Sequence, residues 1–182
     1  MSKIRPTTKV AIIEAAFAIY AETPTASLGD VAARAGVGRA TLHRHFPGRP
    51  ELMRALAQIA MQELDAAVTE ATQDAPSYAE GFRRALSAIV PLANRQLFLA
   101  NEGLEADPEV AAAHAQSHAA LLENVKAAQA EGAFDPALPA TWIAAAYEAL
   151  IYAAWNEVKA GEATPKQAAG LAWRTLTQGL KG

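Results

Sequence analysis

The chain predicts an all-α fold, on three observations. Ala, Leu, Glu, Gln and Arg dominate its 182 residues, and these side chains lose the least freedom in a helix. β-Branched and aromatic residues never alternate with polar ones over the length of a strand. Proline and glycine fall between the helical stretches, where they act as punctuation. About nine helices follow, divided into three within residues 1–48 and an all-helical remainder over residues 49–182.

The first helix is expected from about Thr8 to Glu22, with Val10, Ile13, Phe17 and Tyr20 on one face and Thr23-Pro24 ending it. Ser27 starts the second, with Asp30 three residues on completing a box-like cap, and Gly36 ends it. A short third helix covers about Arg39 to Phe46 before Pro47-Gly48. The fourth opens at Pro50 and runs to about Thr72, turning Leu52, Leu56, Ile59 and Leu64 inward. Ser77 and Glu80 form a second capping box for helix five, and Pro91 separates it from a short sixth helix through Leu99. Asp107-Pro108 starts the seventh, which reaches about Glu131 before Gly132. The eighth follows Leu138-Pro139 and reaches about Lys159, with Gly161 beyond. Thr164-Pro165 starts the ninth, which continues to Leu180.

An apolar content of 52% is enough to bury a full core. The absence of cysteine excludes disulfides and thiolate chemistry. No secretory leader is legible at the N-terminus, and no stretch approaches the roughly 20 apolar residues of a membrane span. A cytoplasmic protein is expected. The net charge of −3 hides an asymmetry: residues 1–50 hold seven Lys or Arg against three acids, whereas residues 51–182 hold nine against sixteen. A basic end on an acidic body suggests that this end meets a polyanion.

Residues 28–46 give that suggestion a form. Ala32 supplies a small residue where two helix axes approach, and Gly36 tolerates the positive φ of a tight turn. Val31, Ala35, Val37 and Leu42 then fill the gap against the first helix. This is a helix-turn-helix, whose second helix enters the major groove of DNA. That helix carries Arg39, Thr41, His43, Arg44 and His45 outward, suited to phosphates or base edges, while Leu42 and Phe46 read as packing residues.

The run from Ala32 to Arg49, with Arg39-Ala40-Thr41-Leu42 and His45-Phe46-Pro47-Gly48 at its centre, resembles the signature of tetracycline-repressor (TetR) type regulators. The motif likeness covers about residues 8–56; beyond it only length and helix pattern agree. The resemblance implies an N-terminal three-helix DNA-binding domain followed by an α-helical effector-binding and dimerisation domain. It also implies DNA contacts from Ser27, Gly38, Arg39, Ala40, Thr41, His43, Arg44, His45 and Arg49. Two positions depart from the family pattern. Gly38 stands where Ser is common and has no hydroxyl to give a phosphate, and His43 stands where Tyr is common, which opens contact to pH if it titrates against DNA. Arg49 replaces a usual Lys at the start of helix four, where side chain and helix amides both suit a phosphate.

In helix seven, Val110, Leu121, His114, Val125 and His118 fall within an arc of roughly 80°. The two histidines are open to three readings: core or boundary residues, the lining of an effector cavity, or a metal pair lacking a third ligand. Large aromatics among alanines can leave a cavity or interlock without one. Candidate lining residues are Phe98, His114, His118, Leu121, Tyr147 and Ile151. Asn94, Arg95 and Gln96 beside Pro91 are either ligand partners or a solvated helix end. Helix eight is apolar almost all round, with Ile143, Tyr147, Leu150, Ile151, Ala154 and Val158 in one arc and Trp142, Ala146, Ala149 and Ala153 in another. Helix nine carries a stripe of Ala169, Trp173, Leu176 and Leu180. The two helices can pack within one subunit, or pair with a second copy; the resemblance implies a four-helix dimer interface using Trp142, Ala146, Ala149, Ala153, Trp173, Leu176 and Leu180.

No nucleophile–base pairing, Gly-rich phosphate loop or metal cluster is legible, so neither enzyme activity, cofactor nor metal is expected. The leading expectation is a ligand-responsive repressor that binds a palindromic operator in double-stranded DNA as a homodimer and is released by an apolar or aromatic small molecule. An activator or co-repressor-dependent regulator is the alternative. An all-helical ligand-binding protein or enzyme without DNA function is the remaining one.

Overall fold

The structure, a computed structural model, describes residues 7–101 and 108–179. Among these lie nine α-helices and no strand: α1 Thr8–Glu22, α2 Leu28–Arg34, α3 Arg39–His45, α4 Arg49–Thr72, α5 Tyr78–Ile89, α6 Ala93–Asn101, α7 Pro108–Ala130, α8 Ala140–Ala160 and α9 Pro165–Gln178. Pro91 sits in a 3₁₀ turn, Val90–Leu92, that leads directly into α6. The expected Asp107 start of α7 and the Leu180 end of α9 lie outside the described residues.

The chain forms two compact units, residues 1–61 with 94–110, and residues 62–93 with 111–182. These do not follow the boundary expected at residues 48 and 49. The first unit takes the opening turns of α4 because Arg49 is hydrogen-bonded to the α1–α2 loop. It takes α6 because Phe98 packs on α1, edge-to-face against Phe17 at 5.6 Å and tilted against Tyr20 at 6.4 Å. Ile12, Ala16, Phe17, Tyr20, Val31, Leu42, Leu52, Leu56 and Phe98 are all buried. Local signals set the helix ends. Thr7 caps α1 by accepting from the Val10 N–H, and the Thr23 N–H closes its end on the Ile19 carbonyl at 2.7 Å.

The second unit contains the rest of α4 with α5, α7, α8 and α9. Phe82 meets both Phe134 and Tyr147 edge-on at 5.2 Å, and Phe134 reaches Trp173 at 6.4 Å. The inner face of α9 is Ala168, Ala169 and Ala172, small residues that let a helix approach closely. Gly161, in the left-handed region at φ 79°, ends α8. Thr164 and Gln167 then form a full capping box with Pro165 in the first turn of α9. Gln129 donates to the carbonyls of Asp135 and Leu138, which ties down the loop before α8. The capping box expected at α5 is only half made. Ser77 accepts from the Glu80 N–H, but the Glu80 carboxylate turns to Arg83 and Arg84, whose guanidinium groups offer charge-assisted bonds. Arg83 and Arg84, in that order, hold the Glu80 carboxyl down to about 2. Burial raises the Tyr147 hydroxyl above its usual range, with the Glu148 charge adding to it.

Candidate nucleic-acid interface

The turn between α2 and α3 is built by the backbone. With Gly36 at φ 68°, its N–H donates to the Ala33 carbonyl at 3.2 Å and the Val37 N–H donates to the Ala32 carbonyl at 3.0 Å. These two bonds are the Schellman closure of a helix, which needs a left-handed residue where Gly36 stands. Val31 and Leu42 are buried, and Ala35 and Val37 are half-buried beside them. At the other end of α2, Ser27 and Asp30 cap each other: the Asp30 N–H donates to Ser27 Oγ at 3.2 Å, and Asp30 Oδ2 accepts from the Ser27 N–H at 2.9 Å. The Ser27 hydroxyl also donates to Asp30 Oδ2 at 2.7 Å. The Ser27 hydroxyl bond, then its backbone bond, hold the Asp30 carboxyl below its usual range, with Arg39 adding a smaller pull.

The third helix presents a polar face. Gly38, Arg39, Ala40, His43, Arg44 and His45 are exposed, Thr41 is half-buried, and Leu42 and Phe46 are buried on the opposite side. Gly38 starts the helix without a side-chain cap. The His43 ring is held at Nδ1 by the Pro47 carbonyl at 3.1 Å. A carbonyl only accepts, so Nδ1 carries the proton and Nε2 is the nitrogen left for another partner. The expected residues at the start of α3 and along it are therefore exposed or half-buried, whereas Ser27 and Arg49 make contacts within the fold. Ser27 spends its hydroxyl on the α2 cap. Arg49 is turned inward: Nη1 donates to the Ala26 carbonyl at 2.6 Å, Nη2 to the Pro24 carbonyl at 2.7 Å, and the guanidinium lies 4.8 Å from the centre of the Tyr20 ring. This corrects the expectation of a phosphate contact from its side chain. The loop carbonyls between two helices need donors, and Arg49 is within reach of both.

Among the polar groups beside Pro91, Arg95 departs from expectation. Arg95 is neither at a solvated helix end nor free for a ligand. It is buried in the first unit, ion-paired with Glu14 and stacked 4.5 Å over the Phe17 ring. The Gln96 side chain lies outside the described residues. No sequence signal marks the Arg95 pairing, since Glu14 lies on the polar side of α1.

The expected effector residues divide between the units. Phe98 is core of the first unit against Phe17 and Tyr20. Tyr147 and Ile151 are buried in the second, and Leu121 is half-buried there. His114 and His118 are exposed, so neither is a core residue; His118 Nδ1 is 3.8 Å from Glu148. No cluster of three or more potential metal ligands occurs among the described residues. Of the expected dimer residues, Trp142, Ala149 and Ala153 are exposed, Ala146, Trp173 and Leu176 are half-buried, and Leu180 lies outside the described residues. Exposed Ala145, Tyr152 and Leu171 were not anticipated. No helix among the described residues is long and apolar enough to cross a membrane.

A Schellman-closed helix-turn-helix with a cationic second helix defines a DNA-binding regulator. Comparison with known proteins places it more narrowly. The profile of bacterial regulatory proteins of the tetR family matches residues 12–56. Over 161 residues the chain is 36% identical to the HTH-type transcriptional repressor LfrR of Mycolicibacterium smegmatis, covering 88% of this chain and 84% of that one. The chain therefore belongs to the TetR family of transcription regulators. The crystal structure of LfrR from Mycobacterium smegmatis in complex with proflavine superposes with a TM-score of 0.76 at 33% identity, covering 96% of this chain and 97% of that one. The ketosteroid transcriptional regulator KstR2 of Mycobacterium tuberculosis shares the fold at a TM-score of 0.76 and 17% identity, over 99% of this chain and 97% of that one.

Proposed function

We propose that this protein is a cytoplasmic repressor that binds a palindromic operator as a homodimer and leaves it when a small aromatic molecule binds. The observation that carries the reading is the exposed face of α3. His43, Arg44 and His45 stand clear of a core that Leu42 and Phe46 anchor, with Arg39 also exposed at the helix start, so positive and hydrogen-bonding groups are free to meet a duplex. Thr41 completes that surface. The relative LfrR is a repressor, which supports repression over activation here.

Dimerisation is supported by α8. Trp142, Ala145, Ala149, Tyr152 and Ala153 fall within an arc of about 100°, and Trp142 and Tyr152 are 66% and 53% exposed. Such a patch along a helix suits a second copy. Two-fold pairing would set two copies of α3 toward successive major-groove faces.

The effector reading rests on the second unit, where Phe82, Phe134, Tyr147 and Trp173 form a connected aromatic set. The LfrR complex holds proflavine, a planar aromatic cation, and the same class is the first to try here. A duplex should be selected from a randomised pool with the purified protein and its binding followed by anisotropy. Proflavine also binds DNA, so its affinity for the protein is measured by calorimetry without duplex. Arg44→Ala and His45→Ala should abolish duplex retention while leaving the dimer intact. Absence of any sequence-selective binding at low and moderate salt would sink the proposal. A reporter assay with and without the gene separates repression from activation.

A further inference from the structure

We propose that Gly29 positions Arg39 on the DNA backbone: the missing side chain at Gly29 seats the Arg39 guanidinium against α2, where it grips a phosphate rather than reading a base. It rests on the DNA-binding reading above.

A Cβ built on Gly29 would lie 3.0 Å from Arg39 Nη2, 3.3 Å from Nε and 3.4 Å from Cζ. Three guanidinium atoms at similar distance mean that the group lies across the Gly29 backbone instead of extending from the tip of α3. A Cβ at position 29 would force the guanidinium to give by a few tenths of an ångström, and a longer side chain would occupy its seat. Gly29 is not among the glycines with positive φ, and it sits inside a helix of seven residues, where glycine is a poor choice. Its use is the space it leaves. The neighbouring Asp30 carboxylate attracts the guanidinium but spends Oδ2 on Ser27. Among the described residues Arg39 forms no ion pair, so the donors of its planar fork stay available to an anion.

In a helix-turn-helix the first helix of the pair crosses the sugar-phosphate backbone, and the start of the second meets base edges. Arg39 is the first residue of α3 and would by default be a base reader. Folded back on α2, its guanidinium belongs to the helix that meets phosphates, for which its bidentate geometry is suited. Gly29 is then a positioning residue that decides which kind of contact Arg39 makes.

The test uses full-length protein and a duplex selected from a randomised pool by the unaltered chain. Affinity is measured against KCl concentration, and the selection is repeated with each variant. Arg39→Ala should weaken binding by a similar factor on all duplexes, lower the slope of log affinity on log salt by about 1, and leave base preferences unchanged. Gly29→Ala, whose Cβ displaces the guanidinium by a few tenths of an ångström, should reproduce part of that loss with a Tm equal to or above that of the unaltered protein, because alanine favours the helix and only the guanidinium must move. The double variant should bind no more weakly than Arg39→Ala alone. A changed base preference in Arg39→Ala, an unchanged salt slope, or full additivity of the two substitutions would each overturn the inference. If the unaltered chain selects no duplex, the DNA-binding reading falls with it; any of the other adverse outcomes leaves that reading standing.

Discussion

The α2–α3 motif and helix α8 put opposite chemistry on their exposed sides. On α3 the exposed residues are cations and polar groups, and the apolar ones, Leu42 and Phe46, are buried. On α8 the exposed residues include Trp142 and Tyr152, while Ile143, Tyr147 and Ile151 fill the opposite side. The first arrangement is complete in one chain and waits for a polyanion. The second is a helix with two apolar faces, of which one chain covers only one. The two surfaces therefore answer to different tests. A DNA surface fails through lost charge with the fold intact, and an apolar surface fails through lost association.

The largest effect is expected in the core beneath the DNA surface. Phe17 is fully buried, meets Phe98 edge-on and carries the Arg95 guanidinium on its face. Phe17→Ala should cost about 3–5 kcal/mol, read as a shifted urea midpoint. A loss under about 1 kcal/mol would mean that α1 and α6 are not joined there. Next comes Arg49. Arg49→Ala strips donors from two loop carbonyls and is expected to cost about 2–3 kcal/mol, with the salt slope of DNA binding unchanged. A reduced salt slope with unaltered stability would instead return Arg49 to the phosphate contacts.

The apolar surface is sharpened by Trp142→Glu. A charge placed in a desolvated interface should weaken dimerisation by at least roughly 30-fold, about 2 kcal/mol, measured by sedimentation. A dimer of undiminished strength would show that the exposed arc of α8 is not the contact between copies. Ser27→Ala is a smaller test of the α2 end. Loss of the reciprocal cap should cost about 1 kcal/mol, and binding should weaken only as far as α2 frays.

Features fixed by neighbouring residues were legible in the sequence. Gly36 and the small residues before it specify a turn that the backbone closes with its own bonds, and Ser27 with Asp30 marks a helix start within four residues. The nine helices follow from such local punctuation. What could not be read is where long side chains travel. Arg49 reaches Ala26 and Pro24 across 23 and 25 positions, and Arg95 reaches Glu14 across 81. A guanidinium has the same composition whether it faces a phosphate or a loop carbonyl, so only the fold decides. The histidines of α7 failed for a different reason. Their helix is rich in alanine on every side, and alanine fits a buried or an exposed face equally, so Val110 and Val125 alone did not define how far the buried face extends. The same ambiguity on α8 hid Ala145 and Tyr152, which the sequence did not separate from the buried side.

The smallest expected effect lies in the second compact unit, at the start of α5. Glu80 accepts from Arg83 at 2.7 Å and from Arg84 at 2.8 Å, which holds its carboxyl down to about 2 from an ordinary value of 4.5. A carboxylate whose value is lowered by folding binds its proton more readily when unfolded. Its contribution is therefore fully present above about pH 4.5 and is lost as the pH falls toward about 2. The site is exposed to solvent and salt, so the effect is modest. Compared with the unaltered protein, Glu80→Gln should show a slightly lower Tm at pH 7, and the gap should close as the pH is taken from 5 to 3. It should also shrink in high salt. DNA binding at neutral pH should be unchanged, because Glu80 belongs to a different compact unit from α3. A gap that widens on acidification would reverse the sign and show that Glu80 is better satisfied as the neutral acid than as the partner of two arginines.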